Sequence, residues 1–414
     1  MPTTGFNPQS ALSYATMISL PRQVGTEGER IVAQKIIQKL QGFGFTVERQ
    51  PFHCTTALGV FLAAEILTCQ LLILFTLWMR ISRPEVAFIS ILLIWITLGI
   101  TGPLNRKVQT HSVETSSGSL PGFWSALCRR LGKKYSSENL IANLPASPPG
   151  AGAPHLYLVA HYDSKSQRIP LVVRLALFVI AIAGALVFTV DILLSYVYPA
   201  ILPSGFVIAA IVIVAGIPLL FLDYGNSSAG AIDNASGVGL ILHLAEVIAG
   251  SPQTLRELKV TALITGAEEL GVKGALAYVI QNQPYLRSQQ GDGGVHILNF
   301  DGPGVDGGLA LVTGKSKTQV GLQSMVRQAC QEFGYDLGRL ALPGALYDHI
   351  PFSERGFDAL SLIAIGKASV AVHTSADSPD KLHAKGFEMA GQITLRVIES
   401  LIQSNASHGE GVSS

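Results

Sequence analysis

The sequence predicts a layered α/β fold with a mostly parallel central sheet, interrupted by two transmembrane helical hairpins. Short strand-like segments alternate with segments of helical periodicity, a pattern typical of a sheet covered by helices. Four apolar stretches are long enough to cross a bilayer. Of the 414 residues only 14% are charged, and the mean hydropathy is +0.40. About 25% charged residues is usual in soluble proteins.

The four apolar stretches form two pairs. Their bounds are 57–79 and 86–104, then 171 to about 198 and 206–222. Continuous apolar runs of this length are not amphipathic, which favours membrane spans over buried core helices. The core-helix alternative is stronger for the second pair. Arg174 and Asp191 lie near the ends of its first stretch, and Pro218 interrupts its second.

The remaining segments form one discontinuous soluble domain. We assign it residues 1–55, 112–168 and 223–405, with the hairpins at 57–104 and 171–222 and a disordered tail at 406–414. Glu65 lies inside the first span. A carboxyl group is costly in lipid, so we expect it to face another helix or a polar defect.

Charge and cysteine content exclude two classes of function. The net charge of +1 gives no electrostatic case for binding nucleic acid. The four cysteines show no Cys-x-x-Cys spacing, so they indicate neither a zinc ribbon nor a dense disulfide framework.

Two adjacent carboxylates are the most informative local feature. Glu268 and Glu269 follow the apolar strand-like run 260–266. Adjacent carboxylates repel when buried together, and a metal ion would supply the positive charge they need. One could bind metal while the other handles protons. The structural alternative is an exposed acidic start of a helix.

Further ligand-type residues follow other strand-like segments. His161 ends one such run, and Asp163 points to the same face because strand side chains alternate. Asp233 opens a helix, where an N-cap is the simpler role. Asp301 follows a strand, where a turn former is the alternative. His373 follows another strand and, taken singly, is more often structural.

Together these motifs resemble metallopeptidase family 28, the co-catalytic zinc aminopeptidases. The matching segments are 161–164, 230–237, 266–271, 299–301, 348–352, 373–374 and 380–382. The resemblance covers most of the soluble portion. It implies the three-layer zinc-peptidase fold and two zinc ions that activate water for hydrolysis of N-terminal peptide bonds.

The resemblance also implies residue roles. The zinc ligands would be His161 and Asp301 on one ion, Glu269 and His373 on the other, with Asp233 bridging. Glu268 would be the general base, and Asp163 would orient His161. Asp348 and His349 match a family motif near the pocket, but we assign no chemical step to them.

Two departures from the family pattern stand out. The usual short loop between His161 and Asp233 here contains the second hairpin. Residues 302–304, Gly-Pro-Gly, replace the usual bulky apolar residues. These departures affect the loop geometry and the shape of the substrate pocket.

Two alternative functions remain on the same fold. Residues 161–165 and 348–356 also resemble glutaminyl cyclases, single-zinc acyltransferases, although Val372 stands where a cyclase tryptophan is expected. A non-catalytic membrane-bound binding protein is the third reading, but such relatives typically lose ligands, and all are present here.

The short tethers predict a site near the membrane. Residues 164–170 join the His161 motif to the third span, and residues 223–232 join the fourth span to Asp233. At no more than about 3.6 Å per residue, these tethers keep the metals within roughly 40 Å of the bilayer. We therefore expect peptide substrates at or anchored in the membrane. Basic residues flank the spans on the domain side: Arg106, Lys107, Arg129, Arg130, Lys133, Lys134, Lys165 and Arg168. This bias predicts a cytoplasmic domain, although Arg80 and Arg83 on the far side weaken it.

Overall fold

A computed structural model describes residues 5–143, 152–222, 224–251, 254, 257–291, 293–314, 320–340 and 345–410. The strands are β1 (Thr46–Thr55), β2 (Val113–Thr115), β3 (Gly118–Ser119), β4 (Lys134–Asn143), β5 (His155–His161), β6 (Lys259–Thr265), β7 (Val295–Asp301), β8 (Gly307–Thr313), β9 (Leu337–Arg339) and β10 (Asp358–Gly366). They form one ten-stranded sheet in the order β3-β2-β1-β4-β6-β5-β7-β10-β8-β9.

The helices of the described residues lie on both faces of this sheet and in the two hairpins. They are α1 (Pro8–Ile18), α2 (Glu27–Gly42), α3 (Ala57–Met79), α4 (Pro84–His111), α5 (Phe123–Arg130), α6 (Leu171–Ser195), α7 (Ser204–Gly216), α8 (Ser236–Ala249), α9 (Lys273–Gly291), α10 (Val320–Phe333), α11 (Ile350–Ser353) and α12 (Ala384–Glu410).

Strand β5 shows how the layers form. Leu156, Leu158 and Ala160 face a core shared with α1, α2, α8, α10 and α12. Tyr157 and Val159 face the opposite core, shared with α9 and α11. Both faces of the strand are buried, which explains why it is apolar almost throughout. The predicted three-layer α/β fold is confirmed.

The sheet is mixed rather than mostly parallel. The central strands β6, β5, β7 and β10 are parallel neighbours, and β8 pairs with β9 in parallel. The other five neighbouring pairs are antiparallel. Part of the reason lies in the first hairpin. Strand β1 leads into α3 and β2 leaves α4, so a chain that returns to the same side makes these neighbours antiparallel.

The predicted spans appear as long helices with apolar surfaces. In α3 and α6, only 11% of the most apolar window is buried within the protein. The first pair is α3 and α4, and α4 runs on to His111, past the predicted bound at residue 104. In the second pair α6 is followed by α7, which ends at Gly216 before a 3₁₀ turn at Pro218–Phe221.

A further helical segment, Ala231–Ala249, which includes α8, is also apolar enough to cross a membrane. However, 83% of its most apolar stretch is buried within the protein. It is a core helix of the soluble domain.

At the carboxyl end of the described chain, α12 continues to Glu410, so the predicted disordered tail is helical over 406–410. No proline interrupts that stretch. Residues 411–414 lie outside the described part of the chain.

Polar side chains join the two hairpins at their tips. Arg80, at the end of α3, is buried, and its guanidinium carbon lies 4.5 Å above the ring of Phe206. Tyr196 donates its hydroxyl to the Arg80 carbonyl at 3.1 Å. Asp191 of α6 is buried too and accepts a hydrogen bond from Ser204. Arg80 is thus enclosed by the second hairpin.

Candidate active site

The predicted site residues lie at the carboxyl edge of the parallel strands. His161 is the last residue of β5 and pairs in register with Thr265, the last residue of β6. Asp301 ends β7, and His373 follows β10 after a 3₁₀ turn at Lys367–Ala371. Parallel strands end at the same edge of a sheet, so residues distant in sequence meet there.

Two groups of ligand-type side chains share one carboxylate. The groups are His161, Asp233 and Asp301, and Asp233, Glu269 and His373; in each, one ligand atom per residue lies within 4.8 Å of the others. Asp233 Oδ1 is 3.0 Å from His161 Nε2, and Asp233 Oδ2 is 3.0 Å from His373 Nε2. Asp233 therefore faces both groups at once, as a bridging carboxylate would.

Glu268 belongs to neither group but lies beside them. Its Oε2 atom is 3.8 Å from His161 Nε2. The backbone N–H groups of Glu268 and Glu269 donate to the two oxygens of Asp163, each at 3.1 Å. Asp163 Oδ1 is also 3.5 Å from His161 Nδ1. Asp163 thus positions the double-glutamate turn as well as the histidine.

A sharp loop delivers Asp233. Gly230 has φ of +55°, and a Cβ atom there would lie 2.6 Å from the Asp233 carbonyl oxygen, so only glycine fits. The Asp233–Asn234 peptide bond is cis. Asn234 donates to the Phe300 carbonyl at 2.8 Å and accepts from the Gly302 N–H at 3.1 Å. These bonds tie the loop to the end of β7.

Arg22 supports the site without having been predicted. Its side chain is fully buried and donates to the carbonyl oxygens of Tyr162 at 2.5 Å and Gly230 at 2.8 Å. It therefore joins the loop after β5 to the loop before Asp233. Burial lowers its pKa to about 10, although nearby carboxylates such as Asp377 oppose the shift.

Asp377 is a second positioning residue, and the sequence motifs assign it no role. It accepts the backbone N–H of Ile232 at 2.7 Å and that of Asp233 at 3.3 Å. It lies four residues beyond His373, so one short segment provides a ligand-type imidazole and the support for Asp233. Only its closeness to His373 in the sequence signalled it.

The site carries more negative charge than its own cations neutralise. Burial raises the pKa of Glu268 well above its usual range, and neighbouring Glu269 adds to the shift while His161 opposes it. Burial, with nearby Asp233, raises the pKa of Asp301 to about 7. For Asp233 the two histidines outweigh burial and hold the pKa well below its usual range. Additional positive charge at this position would relieve the repulsion.

The donor atoms fit divalent metal ions. Glu269 Oε1 is buried with no hydrogen-bond partner among the described residues, and His161 Nε2 is directed at carboxylate oxygens, with Asp233 Oδ1 at 3.0 Å and Glu268 Oε2 at 3.8 Å. His161 Nδ1 instead faces the Asp163 carbonyl at 3.2 Å, which leaves Nε2 free to bind a cation. Imidazole and carboxylate ligands suit zinc. The residues present could thus hold one ion in each group.

Lys165 distinguishes the second group from the first. Its Nζ atom is 2.6 Å from Glu269 Oε2, the same oxygen that lies 3.2 Å from His373 Nε2. Tyr224 covers the ammonium group, with its ring centroid 5.9 Å away. The pKa of Lys165 is raised, because Glu269 and Tyr224 outweigh the effect of burial.

Asp348 and His349 lie beside the cluster and outside both groups. Asp348 accepts a hydrogen bond from Thr265 at the end of β6. His349 Nδ1 is 2.6 Å from Ser361 Oγ on β10, and its Nε2 atom is buried without a hydrogen-bond partner in the described chain. Asp348 therefore contacts the end of β6, and His349 contacts the middle of β10.

Comparisons with known proteins match the part of the chain that carries this cluster. The model of peptidase family M28 matches residues 139–398, more than half of the chain. Aminopeptidase YwaD of Bacillus subtilis (strain 168) is 29% identical over 185 residues, which span 42% of this chain but only 38% of that protein.

Solved structures resemble the chain in fold alone. BSAP, a zinc aminopeptidase from Bacillus subtilis, is 16% identical with a TM-score of 0.54, covering 95% of each chain. A glutaminyl cyclase from an Acidobacteriales bacterium is 15% identical with a TM-score of 0.53, covering 96% of each chain. The family match, which includes every ligand-type residue above, is decisive: the chain belongs to peptidase family M28.

Proposed function

We propose that the protein is a membrane-anchored, zinc-dependent aminopeptidase. The observation that carries the proposal is the pair of ligand groups sharing Asp233, with Glu268 beside them and outside both. His161 and Asp301 would hold one zinc ion, Glu269 and His373 the other. This donor arrangement is one that two-metal aminopeptidases use.

Glu268 would move the proton in this reaction. Bound zinc supplies Lewis-acid chemistry that lowers the pKa of water and polarises a carbonyl group. Glu268 would take the proton from the attacking water and deliver it to the leaving amine nitrogen. Asp163 holds the backbone of Glu268 and Glu269, so the base keeps its place beside the ligands. Nearby carboxylates would hold the free amino terminus of the substrate.

The direct test is an assay of the full-length protein in nanodiscs with aminoacyl and N-terminal glutaminyl peptides, combined with metal analysis. Release of the first residue, abolished by a chelator and restored by zinc, is expected. Ring closure of N-terminal glutamine instead would identify a cyclase. The glutaminyl cyclases of similar fold and the Lys165–Glu269 pair support this alternative. Metal binding without turnover of either substrate would identify a binding protein.

The anchoring part of the proposal rests on the two hairpins. Helices α3, α4 and α6 and the segment 199–221 have the length and hydropathy of spans, with apolar side chains such as Trp78 and Val214 exposed. We propose that the domain faces the cytoplasm. Because Arg80 is buried near Asp191, it contributes less to the charge of the far side than its sequence position implies.

Protease protection in oriented vesicles tests this orientation. With the domain on the cytoplasmic side, an external protease added to intact cells leaves the domain uncut, and it cuts only after permeabilisation. Cleavage of the domain in intact cells would refute the proposed sidedness while leaving the peptidase activity untouched.

A further inference from the structure

The geometry points to a substrate class: we propose that the active site opens toward the bilayer and acts on peptides anchored in it, with His161 about 20 Å, measured along the strands, from the start of the first span. This inference deepens the proposed function and rests on it. It follows from the direction of the strands, the contacts of the double-glutamate turn and the side chains at the rim.

Strand direction fixes which way the site faces. Strand β1 is antiparallel to β4, which is antiparallel to β6, so β1 and β6 run the same way. The carboxyl end of β1 leads directly into α3, the first span. His161, Thr265 and Asp301 stand at the same carboxyl edge. The ligands therefore lie on the side of the sheet from which the first hairpin leaves.

The register of β1 gives the height of the site. Arg49 pairs with Leu140, which pairs with Ile264 beside Ala160. His161 is therefore level with the residue after Arg49. The strand continues for six residues, Gln50–Thr55, before the helix begins. At about 3.3 Å per residue this places the His161 end of β5 roughly 20 Å, along the strand direction, from the start of α3. The double-glutamate turn lies within that interval, since Gly271 approaches Leu58 on α3.

Both hairpins border the space between the ligands and the membrane. A methyl group at Gly271, just after the double-glutamate turn, would lie 3.4 Å from Leu58 Cδ2 on α3. Lys273 Nζ donates to Ser112 Oγ at 2.5 Å, at the end of α4. On the other side, the Gln167 N–H near the start of α6 donates to the His373 carbonyl at 2.8 Å. The feet of the hairpins therefore form walls of the site.

Exposed apolar side chains stand close in sequence to the ligands on two sides of this space. Val370, in the turn that precedes His373, is 63% exposed, and Phe221, at the foot of the second hairpin, is 67% exposed. Exposed apolar side chains at a membrane-facing rim suit a chain that emerges from lipid. An anchored peptide is also confined near the site, which raises its effective concentration.

The test is a series of peptides that share one N-terminal sequence and differ in the linker joining it to a transmembrane helix. Full-length protein and peptide are placed in the same nanodiscs, with linkers of roughly 2, 4, 6, 10 and 20 residues, since extended chain spans about 3.3 Å per residue. Linkers shorter than about six residues should give no cleavage. Longer ones should exceed the unanchored peptide at least about tenfold in kcat/KM, with a slow decline beyond the optimum.

A soluble aminopeptidase added to the same nanodiscs is the control for access to the peptide, and it should show no threshold near six residues. Val370→Ser should lower cleavage of anchored peptides more than of unanchored ones. The matched control Ile31→Ser, on exposed α2 surface, should change neither. Equal cleavage of anchored and unanchored peptides, or full cleavage with a two-residue linker, would overturn this inference alone. If neither anchored nor unanchored peptides were cleaved, the proposed peptidase function itself would be refuted.

Discussion

The two halves of the ligand cluster differ in how their charge is balanced. In the half with Asp301, no Lys or Arg of the described residues forms an ion pair with that carboxylate, and its pKa is raised to about 7 by burial and by Asp233. In the half with His373, Lys165 lies 2.6 Å from Glu269. There His373 and Lys165 overcome burial and lower the pKa of Glu269.

The Asp301 half therefore depends more on a metal ion for its positive charge than the His373 half does. A buried carboxylate without a cation gains the most from a divalent ion, whereas one already paired with an ammonium group gains less and must share its oxygen. We therefore expect the Asp301 half to bind its ion more tightly than the His373 half.

Removing the shared ligand should abolish both halves. Asp233→Asn leaves each group without its bridging carboxylate, so we expect loss of both ions and a fall in kcat/KM of roughly a thousandfold or more. Metal analysis and single-substrate kinetics measure this. Circular dichroism should show an unchanged fold, and retention of one tightly bound ion would show that Asp233 does not bridge.

Neutralising the base should leave both halves intact. Glu268→Gln keeps the size of the side chain and, since Glu268 lies outside both groups, should keep both ions. Turnover should fall by roughly a hundredfold or more, because the proton acceptor is lost. Metal content is the control in the same samples. Near-normal turnover would contradict the assignment of Glu268 as base.

The two halves can be compared through Lys165. Lys165→Gln removes the competing ammonium group and should tighten zinc binding in the His373 half by about tenfold, with the Asp301 half unchanged. Isothermal titration of the metal-free protein in nanodiscs measures both affinities. Lys385→Gln is the matched control, since this lysine pairs with Asp306 at the surface. Equal effects of both substitutions would remove the basis of the comparison.

A buried carboxyl group outside both halves should produce the smallest effect. Glu29 accepts from the Gly25 N–H at 2.5 Å and from Ser137 at 2.6 Å, and burial raises its pKa to about 7. The folded state then holds a proton that the unfolded state releases, so stability falls as pH rises from the usual carboxyl pKa through 7. Between about pH 6 and 7 the loss should be about 1 kcal/mol.

Thermal unfolding across that pH range, compared with Glu29→Gln, tests this effect. The variant should show a pH-dependent loss of stability smaller by about 1 kcal/mol between pH 6 and 7 while keeping its zinc affinities. Asp301, whose pKa is also raised to about 7, contributes to the remaining fall. An identical pH dependence in the variant would show that another group titrates. A change in zinc affinity would show that Glu29 is linked to the ligand cluster.

The sequence allowed the strand-end ligands to be identified because each is local to a recognisable apolar strand. It did not predict supports that come from elsewhere in the fold. Arg22 lies far along the sequence from the two loops that it joins by hydrogen bonds, and no local sequence pattern identifies it. The mixed sheet also escaped prediction, since strand direction at the edges depends on where the hairpins return the chain.

Hydropathy alone could not separate span from core. Helix 231–249 and α6 are both long and apolar enough to span a membrane. Within the protein, however, 83% of the most apolar stretch of helix 231–249 is buried, compared with 11% in α6. What distinguishes them is the motif at Asp233, which places the helix in the domain. The enclosure of Arg80 depends on contacts between two hairpins and has no signature in either one.

The placement of the hairpins has a consequence for biogenesis. His161 precedes the second hairpin and Asp233 follows it, while β1 precedes the first hairpin and its partner β4 follows it. During synthesis these partners become available to each other only after the intervening hairpin has left the ribosome. The ligand cluster is completed last, when β10 and His373 emerge. A protein arranged in this way can assemble the ligand cluster only after both hairpins have been made.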